Sequence, residues 1–239
     1  MKQVLYNLFE AVFGPFFRAI QRTLPQRIQL IGIHDLLTQA AFQDSAEFAR
    51  LNFTKAMIFD KREDLWDHCI SKKSNGSHKL VFTEFGVFNG TSINYFAKKC
   101  PHAELYGFDS FEGLEEDWYG FRALKNTFDR SGVTPKCEEN IELVKGWFVD
   151  TVPKFLNRFK ERQIDIVHMD ADTYTPTAFV LNSLKTNLKS GTIIIFDEFF
   201  GYTNYQAHEI KAWLEFVESH HFQFEYIGYT QMAVAIQIL

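Results

Sequence analysis

Hydrophobic and polar positions follow two different spacings between residues 79 and 220. Short runs rich in β-branched and aromatic residues predict β-strands at 79–85, 104–109, 141–148, 164–170 and 192–199. Apolar residues at helical spacing predict α-helices at 91–100, 116–130, 151–162, 174–189 and 204–220. Strands that alternate with helices predict a mostly parallel sheet with helices on both faces.

Both ends of the chain depart from this alternation. Residues 222–230 and 231–239 are two strand-like runs without a helix between them, so we expect an antiparallel pair at one edge of the sheet. Residues 1–75 have helical spacing, with a polar break at 71–78. The predicted fold is therefore α/β: a Rossmann-like, doubly wound sheet of seven strands in a domain at 76–239, preceded by a helical segment at 1–75.

The first helical segment has an apolar face formed by Leu5, Phe9, Phe13, Phe16 and Phe17. Charged residues and a Gly-Pro pair interrupt the apolar run, and no small-residue cleavage site follows it, so it is typical of neither a signal peptide nor a membrane span. We expect an amphipathic helix that packs on its own domain or forms a homodimer contact. A helix lying on a membrane surface is the alternative.

Composition and charge narrow the possible functions. A net charge of −5 argues against a partner whose phosphates must be neutralised, so we expect no nucleic-acid partner. The three cysteines are odd in number and widely spaced, which fits neither a disulfide framework nor a zinc cluster and favours a reducing, cytoplasmic compartment. The 26 phenylalanines predict an aromatic core and pocket.

Ligands of parallel sheets bind at the carboxyl ends of the strands. After the first predicted strand, "EFGVFNGTS" at 84–92 has two glycines that allow close approach to the backbone, although a plain tight turn has the same pattern. It lacks both the P-loop lysine and the G-x-G-x-x-G spacing. Asp109 ends the next strand, where a carboxylate either accepts hydrogen bonds from ribose hydroxyls or stabilises a turn. Gly146 and Trp147 follow the third strand, and Trp147 either faces a planar base or belongs to the core.

Acidic residues follow the last two parallel strands. Asp170 and Asp197 end neighbouring predicted strands, and Glu198 comes next, so we expect these carboxylates to meet and to bind Mg²⁺ or a similar hard cation. Asp172 is expected to cap the following helix. Two histidines are candidate bases. His208 is either a base or an ordinary surface helix residue, and His168 is expected to be a core histidine with hydrogen-bond partners.

The motifs at 84–92, "GFDSFEGL", "VKGWFVDTVP" and the segment 169–199 together resemble the class I S-adenosylmethionine-dependent methyltransferases. More narrowly, they resemble the macrocin O-methyltransferase-like group, which methylates hydroxyls on macrolide sugars. The similarity runs from about residue 80 to residue 200, in the same order and spacing. It implies an O-methyltransferase that acts on a hydroxyl of a small molecule, such as a sugar or a secondary-metabolite glycoside.

The resemblance also implies roles for particular residues. Those expected at the cofactor are Glu84, Gly86, Phe88, Gly90, Thr91, Ser92, Asp109, Ser110, Gly146, Trp147 and Asp170. Asp170 and His208 are the expected catalytic residues, and Asp170, Asp197 and Glu198 are the expected Mg²⁺ ligands. Glu198 departs from the group, which usually has a second aspartate there.

Two other classes of protein share part of this pattern. A nucleotide-sugar oxidoreductase would also place an acid on a ribose, but it predicts the G-x-G-x-x-G turn that the sequence lacks. A non-catalytic protein that binds a nucleoside cofactor would keep the glycine turn. It would not need carboxylates at the ends of two adjacent strands.

Overall fold

The computed structural model describes residues 32–73, 79–121 and 123–239. The helices in this part of the chain are α1 (Ile33–Asn52), α2 (Arg62–Lys73), α3 (Thr91–Lys99), α4 (Phe148–Phe159), α5 (Tyr174–Leu184) and α6 (Glu209–His220). The strands are β1 (Met57–Ile58), β2 (Val81–Phe85), β3 (Glu104–Asp109), β4 (Ile141–Lys145), β5 (Ile166–Met169), β6 (Ile193–Phe196), β7 (Phe224–Tyr229) and β8 (Val234–Ile238).

The chain divides into two compact units, Met1–Gln39 and Ala40–Leu239. Of the first unit the structure describes residues 32–39, where the backbone N–H of Gly32 donates to Oδ2 of Asp35 at 3.1 Å. The apolar face predicted at residues 5–17 lies outside the described residues. No helix in the described ranges is both long enough and apolar enough to cross a membrane.

The sheet has the strand order β1-β7-β8-β6-β5-β2-β3-β4. Strands β2 to β6 are parallel to one another, and β8 runs antiparallel to both β6 and β7. The predicted Rossmann-like sheet and its antiparallel C-terminal pair are confirmed. An eighth strand, β1, adds two residues beyond β7 and was not predicted, because two residues are too few to show a periodic pattern.

The three central strands are buried along their whole length. Every residue of β2, β5 and β6 is buried, which is why these strands are nearly continuous hydrophobic runs. Glu84 on β2 and His168 on β5 are exceptions, and the two are direct partners in the register of the two strands. Buried polar groups require partners, so these two residues lead to the candidate site.

The predicted helix at 116–130 is wrong. The described residues of this segment form turns with an isolated bridge between Trp118 and Ala123, and Asn126 and Phe128 have positive φ angles. The aromatic residues with helical spacing pack instead on the segment after β6, with the ring of Trp118 5.7 Å from that of Tyr202. Tertiary packing has overridden a weak helical signal. The helix predicted at 174–189 also ends early, at Leu184.

Candidate active site

A cavity of about 500 Å³ lies at the carboxyl ends of the parallel strands. Strand order reverses between β2 and β5, the position at which open α/β sheets bind their ligands. The described residues that line the cavity include Gly86, Val87, Phe88, Asn89, Thr91, Ser92, Asp109, Ser110, Leu114, Trp118, Phe121, Trp147, Phe148, Asp170, Asp172, Pro176, Phe179, Asp197 and Glu198, with Arg62 from α2.

The two glycines of the turn after β2 occupy different structural positions. Gly86 has φ +95°, and a Cβ there would lie 1.8 Å from the carbonyl oxygen of Asp170, so only glycine allows the ends of β2 and β5 to approach this closely. Gly90 has φ +80° and precedes α3 as its N-cap residue. The turn brings the backbone of residues 86–92 to the cavity, as the sequence predicts.

Asp109 holds this turn in place. Its Oδ2 accepts hydrogen bonds from the backbone N–H groups of Val87 (2.8 Å) and Phe88 (2.7 Å), and its Oδ1 accepts one from Phe111 (2.6 Å). A carboxylate has about four acceptor positions, so three of them are occupied by the chain itself. About one acceptor position of Asp109 therefore remains for a ribose hydroxyl, whereas the prediction required hydrogen bonds to both ribose hydroxyls.

Some of the other residues predicted to bind the cofactor line the cavity, and others do not. Phe88, Thr91, Ser92, Ser110 and Trp147 line the cavity. Trp147 is also the N-cap residue of α4 and comes shortly after the end of β4. Among the described lining residues, neither Gly90 nor Gly146 appears.

Glu84 supports the cavity from behind. Its side chain is fully buried; Oε1 accepts a hydrogen bond from Ser92 Oγ at 3.0 Å, and Oε2 lies 3.0 Å from Nδ1 of His168. The prediction that His168 is a core histidine with partners agrees with this contact. Glu84 therefore connects the cofactor turn to β5 and does not itself line the cavity.

Three carboxylates form the tightest acidic group in the described part of the chain. One oxygen from each of Asp170, Asp172 and Glu198 lies within 4.8 Å of the others. The expected capping role of Asp172 is wrong, because Thr173 is the N-cap residue of α5 and Asp172 has φ +64°, which turns it into the cavity wall. We call Asp170, Asp172 and Glu198 the acid cluster.

Burial and mutual repulsion act on the acid cluster in the same direction. Burial, and then the charge of Asp197, raise the pKa of Asp170 and of Glu198 well above the usual range. Burial and the nearby Glu209 raise the pKa of Asp172. Oε2 of Glu198 is buried without a hydrogen-bond partner among the described residues. A cation would stabilise the ionised form of all three groups.

Asp197 has partners of its own, and they come from distant parts of the sequence. Nη1 of Arg62 donates to Oδ2 of Asp197 at 3.0 Å, and Nε2 of His168 lies 3.6 Å from Oδ1. Burial alone would raise the pKa of Asp197, but these two cations outweigh burial and lower it. The acid cluster therefore contains Asp172 in the place that the sequence-based prediction gave to Asp197.

His208 is not the ordinary surface residue that the sequence allowed as one alternative. It is buried, not on the surface, and its Nε2 contacts the carbonyl oxygen of Tyr119 at 2.7 Å. It is not among the described residues that line the cavity, so its predicted role as a base is not supported.

Glu209 is a further buried acid near the site that the sequence pattern does not reveal. This residue opens α6 and is fully buried, and its Oε2 accepts a hydrogen bond from the backbone N–H of Glu198 at 3.2 Å. A glutamate in the first turn of a helix looks like an ordinary helix-dipole residue, so only its burial distinguishes it.

Solved structures with the same fold cover most of the chain. Calicheamicin methyltransferase CalS11 is 21% identical, with a TM-score of 0.57 over 86% of this chain and 93% of that one. An apo structure of CalS11, described as a TDP-rhamnose 3'-O-methyltransferase, is 23% identical, with a TM-score of 0.52 over 72% and 76% of the two chains. The O-methyltransferase NovP is 20% identical, with a TM-score of 0.54 over 74% and 78%. No curated protein matched the chain.

The strand order, the glycine turn and the acid at the end of β3 are an arrangement typical of class I S-adenosylmethionine-dependent methyltransferases. Residues 83–199 match the model of the family described as "Methyltransferase domain". The matched range begins on β2 and ends just after Glu198, so it contains the glycine turn, Asp109 and the acid cluster.

Proposed function

We propose that the protein transfers a methyl group from S-adenosylmethionine to a hydroxyl oxygen of a small molecule, with Mg²⁺ at the acid cluster. One observation carries the proposal: the same cavity is lined by the glycine turn and Asp109, which we call its cofactor side, and by Asp170, Asp172 and Glu198, which we call its acceptor side. A nucleoside cofactor and a cation-assisted acceptor can therefore meet in it.

The first side of the cavity suits the cofactor. The glycines of the turn at 86–92 leave its backbone accessible to the cofactor. Asp109 keeps about one free acceptor position for a ribose hydroxyl. The aromatic ring of Trp147 can contact adenine. S-adenosylmethionine supplies a methyl group already activated by a positively charged sulfur. The carboxylates of the cavity favour that positive charge.

The second side suits a hard cation. Three carboxylates and an unpartnered Glu198 oxygen form an all-oxygen donor set of the kind that Mg²⁺ prefers. Mg²⁺ would supply positive charge that lowers the pKa of a nearby hydroxyl and helps to orient it. Glu209 holds the backbone of Glu198 in position, because its carboxylate accepts a hydrogen bond from the backbone N–H of Glu198.

The protein's own part in the reaction is to align the acceptor and to accept its proton. We assign the proton to a carboxylate oxygen of Asp170, which lines the cavity at the switch point of the sheet. His208 has no part in this assignment.

The choice of an oxygen acceptor is supported by the similar structures. CalS11 is described as a TDP-rhamnose 3'-O-methyltransferase and NovP as an O-methyltransferase. We extend this description to the present chain as a proposal, with a sugar or a secondary-metabolite glycoside as the acceptor class. We further propose that the N-terminal helices at 1–75 mediate homodimer formation and that the protein acts in the cytoplasm.

The test is methyl transfer from labelled S-adenosylmethionine to a panel of hydroxylated acceptors and matched amines, with and without EDTA. We expect transfer to hydroxyls that is lost in EDTA and restored by Mg²⁺. Full activity in EDTA would reject the metal, and methylation of amines alone would reject the oxygen acceptor. Binding of NAD without binding of S-adenosylmethionine would reject the cofactor.

A further inference from the structure

The cavity wall beside the acid cluster contains a second feature, a stacked pair of aromatic rings. We infer that Trp118 and Phe121 form a subsite for a flat, uncharged, apolar group of the acceptor, and that Phe121 determines specificity for it. This inference rests on the proposed function, since it concerns the compound whose hydroxyl is methylated. We call these two residues the aromatic platform.

The segment that carries the aromatic platform is anchored on the residues after β6. Gly120 packs so closely on this segment that an added Cβ would lie 2.0 Å from the carbonyl oxygen of Thr203. The carbonyl of Tyr119 accepts hydrogen bonds from Nε2 of His208 (2.7 Å) and Nδ2 of Asn204 (3.1 Å). The buried His208 therefore has an anchoring role that explains its position.

The two rings are stacked face to face, so the ring of Phe121 covers that of Trp118. Their centroids are 4.1 Å apart and their planes differ by 17°, and both residues line the cavity. Tyr202 supports the pair from the side, with its ring 5.6 Å from that of Phe121 and nearly perpendicular to it. Trp118 is buried, whereas Phe121 is 40% exposed and so retains surface for a ligand.

The neighbours of the aromatic platform select apolar groups without negative charge. Leu114, Pro176 and Phe179 line the same cavity and add apolar surface. Arg62 is the one cationic side chain among the described lining residues, and Asp197 already engages it. The three carboxylates of the acid cluster outnumber the two charges of Mg²⁺, so an anionic group here would be repelled even with the cation bound.

The experiment compares two probes with the same sugar. Phenyl β-glucoside and methyl β-glucoside are titrated calorimetrically into the full chain saturated with S-adenosylhomocysteine and Mg²⁺. We expect phenyl β-glucoside to bind at least about tenfold more tightly, on the scale of one aromatic contact. Phe121→Ala should reduce that ratio to below about threefold and leave the affinity for S-adenosylhomocysteine unchanged.

Tyr119→Ala is the matched control. Tyr119 is two residues away and 68% exposed, and it contributes its backbone carbonyl to the anchor, which alanine keeps. The ratio should be unchanged in this variant. Equal binding of the two glucosides, binding of neither, or a ratio that Phe121→Ala does not alter would overturn the inference. Failure to bind S-adenosylhomocysteine would instead overturn the proposed function, and that step is measured first.

Discussion

The guanidinium of Arg62 donates a hydrogen bond to the carboxylate of Asp197 across 3.0 Å, although 135 residues separate the two. The other oxygen of Asp197 lies 3.6 Å from Nε2 of His168, so this carboxylate lies between a guanidinium and an imidazole. Asp197 is therefore not a member of the acid cluster, and Asp170, Asp172 and Glu198 have no such hydrogen bond from an arginine among the described residues. The acids at the ends of β5 and β6 thus have two different electrostatic environments.

Arg62→Met should destabilise the protein by about 1–2 kcal/mol. The substitution leaves a buried carboxylate with one partner fewer, and the loss is smaller than for a fully buried pair because the Arg62 side chain is 45% exposed. Urea denaturation measures the free energy of unfolding. Arg50→Met removes an arginine from an exposed pair with Glu47 and should leave that free energy unchanged. Equal effects of the two variants would show that the Arg62–Asp197 pair has no special role.

Gly86→Ala should weaken binding of S-adenosylhomocysteine by at least about tenfold. The new Cβ would lie 1.8 Å from the carbonyl oxygen of Asp170 and must push apart the ends of β2 and β5, which both line the cavity. Calorimetry on the folded variant measures the affinity. Gly191→Ala is the control: its φ is also positive (+86°), but the nearest atom is 3.8 Å from the new Cβ, so affinity should be retained. A similar loss in both variants would attribute the effect to backbone strain alone.

Asp172→Asn should lower the affinity for Mg²⁺ by at least about tenfold, because it removes one of three clustered carboxylates. Affinity for S-adenosylhomocysteine should stay within about threefold, since Asp172 lies on the acceptor side. Metal binding is measured by titration with Mn²⁺ followed by electron paramagnetic resonance. Asp150→Asn, at an exposed position in the first turn of α4, should change neither affinity. If Asp197→Asn lowers the affinity for the metal more than Asp172→Asn does, the ligands are those predicted from the sequence, with Asp197 in place of Asp172.

His208 should make the protein less stable in mild acid. Burial lowers the pKa of His208 below 6.5, more than the Tyr119 carbonyl and Glu116 raise it. As the pH falls below about 6.5, the unfolded chain takes up a proton that the folded chain does not, so stability is lost until the pH passes the lowered pKa. Thermal melting between pH 8 and pH 5 follows this loss (roughly the range in which histidine titrates).

His208→Gln is the control for the pH dependence. Glutamine can still donate to the carbonyl of Tyr119, but it does not titrate. The variant should therefore lose less stability than the wild type on acidification. The same slope in both proteins would assign the pH dependence to other groups.

A chain that lacks residues 1–25 should be monomeric if the predicted apolar face of the first helix forms the dimer contact. Five large apolar side chains on one face are too many to leave in water, so the full chain should be dimeric. Light scattering on both chains measures the mass. Sedimentation of the full chain with anionic vesicles would favour the membrane-surface alternative.

Local patterns in the sequence are enough to predict the sheet and the position of the site. Buried parallel strands require continuous apolar runs, and the alternation of strand and helix leaves few possible arrangements. Gly86 and Gly90 were recognisable because their turn follows a strand directly. Asp170 and Asp197 were recognisable because parallel strands end at the same edge. Each of these signals lies within one strand and the turn after it.

The tertiary structure alone decided which residues are partners. Arg62 reaches Asp197 from α2, and no local pattern connects them. Asp172 joins the acid cluster through one positive φ angle, a property of the folded turn that its side chain does not reveal. The segment at 116–130 has helical spacing, but its rings gain more by packing on the residues after β6 than a short helix would gain by itself. The sequence by itself therefore determined the sheet and the edge at which the site lies, because both follow from local periodicity; charge pairing and aromatic packing between distant segments were decided only when the chain folded.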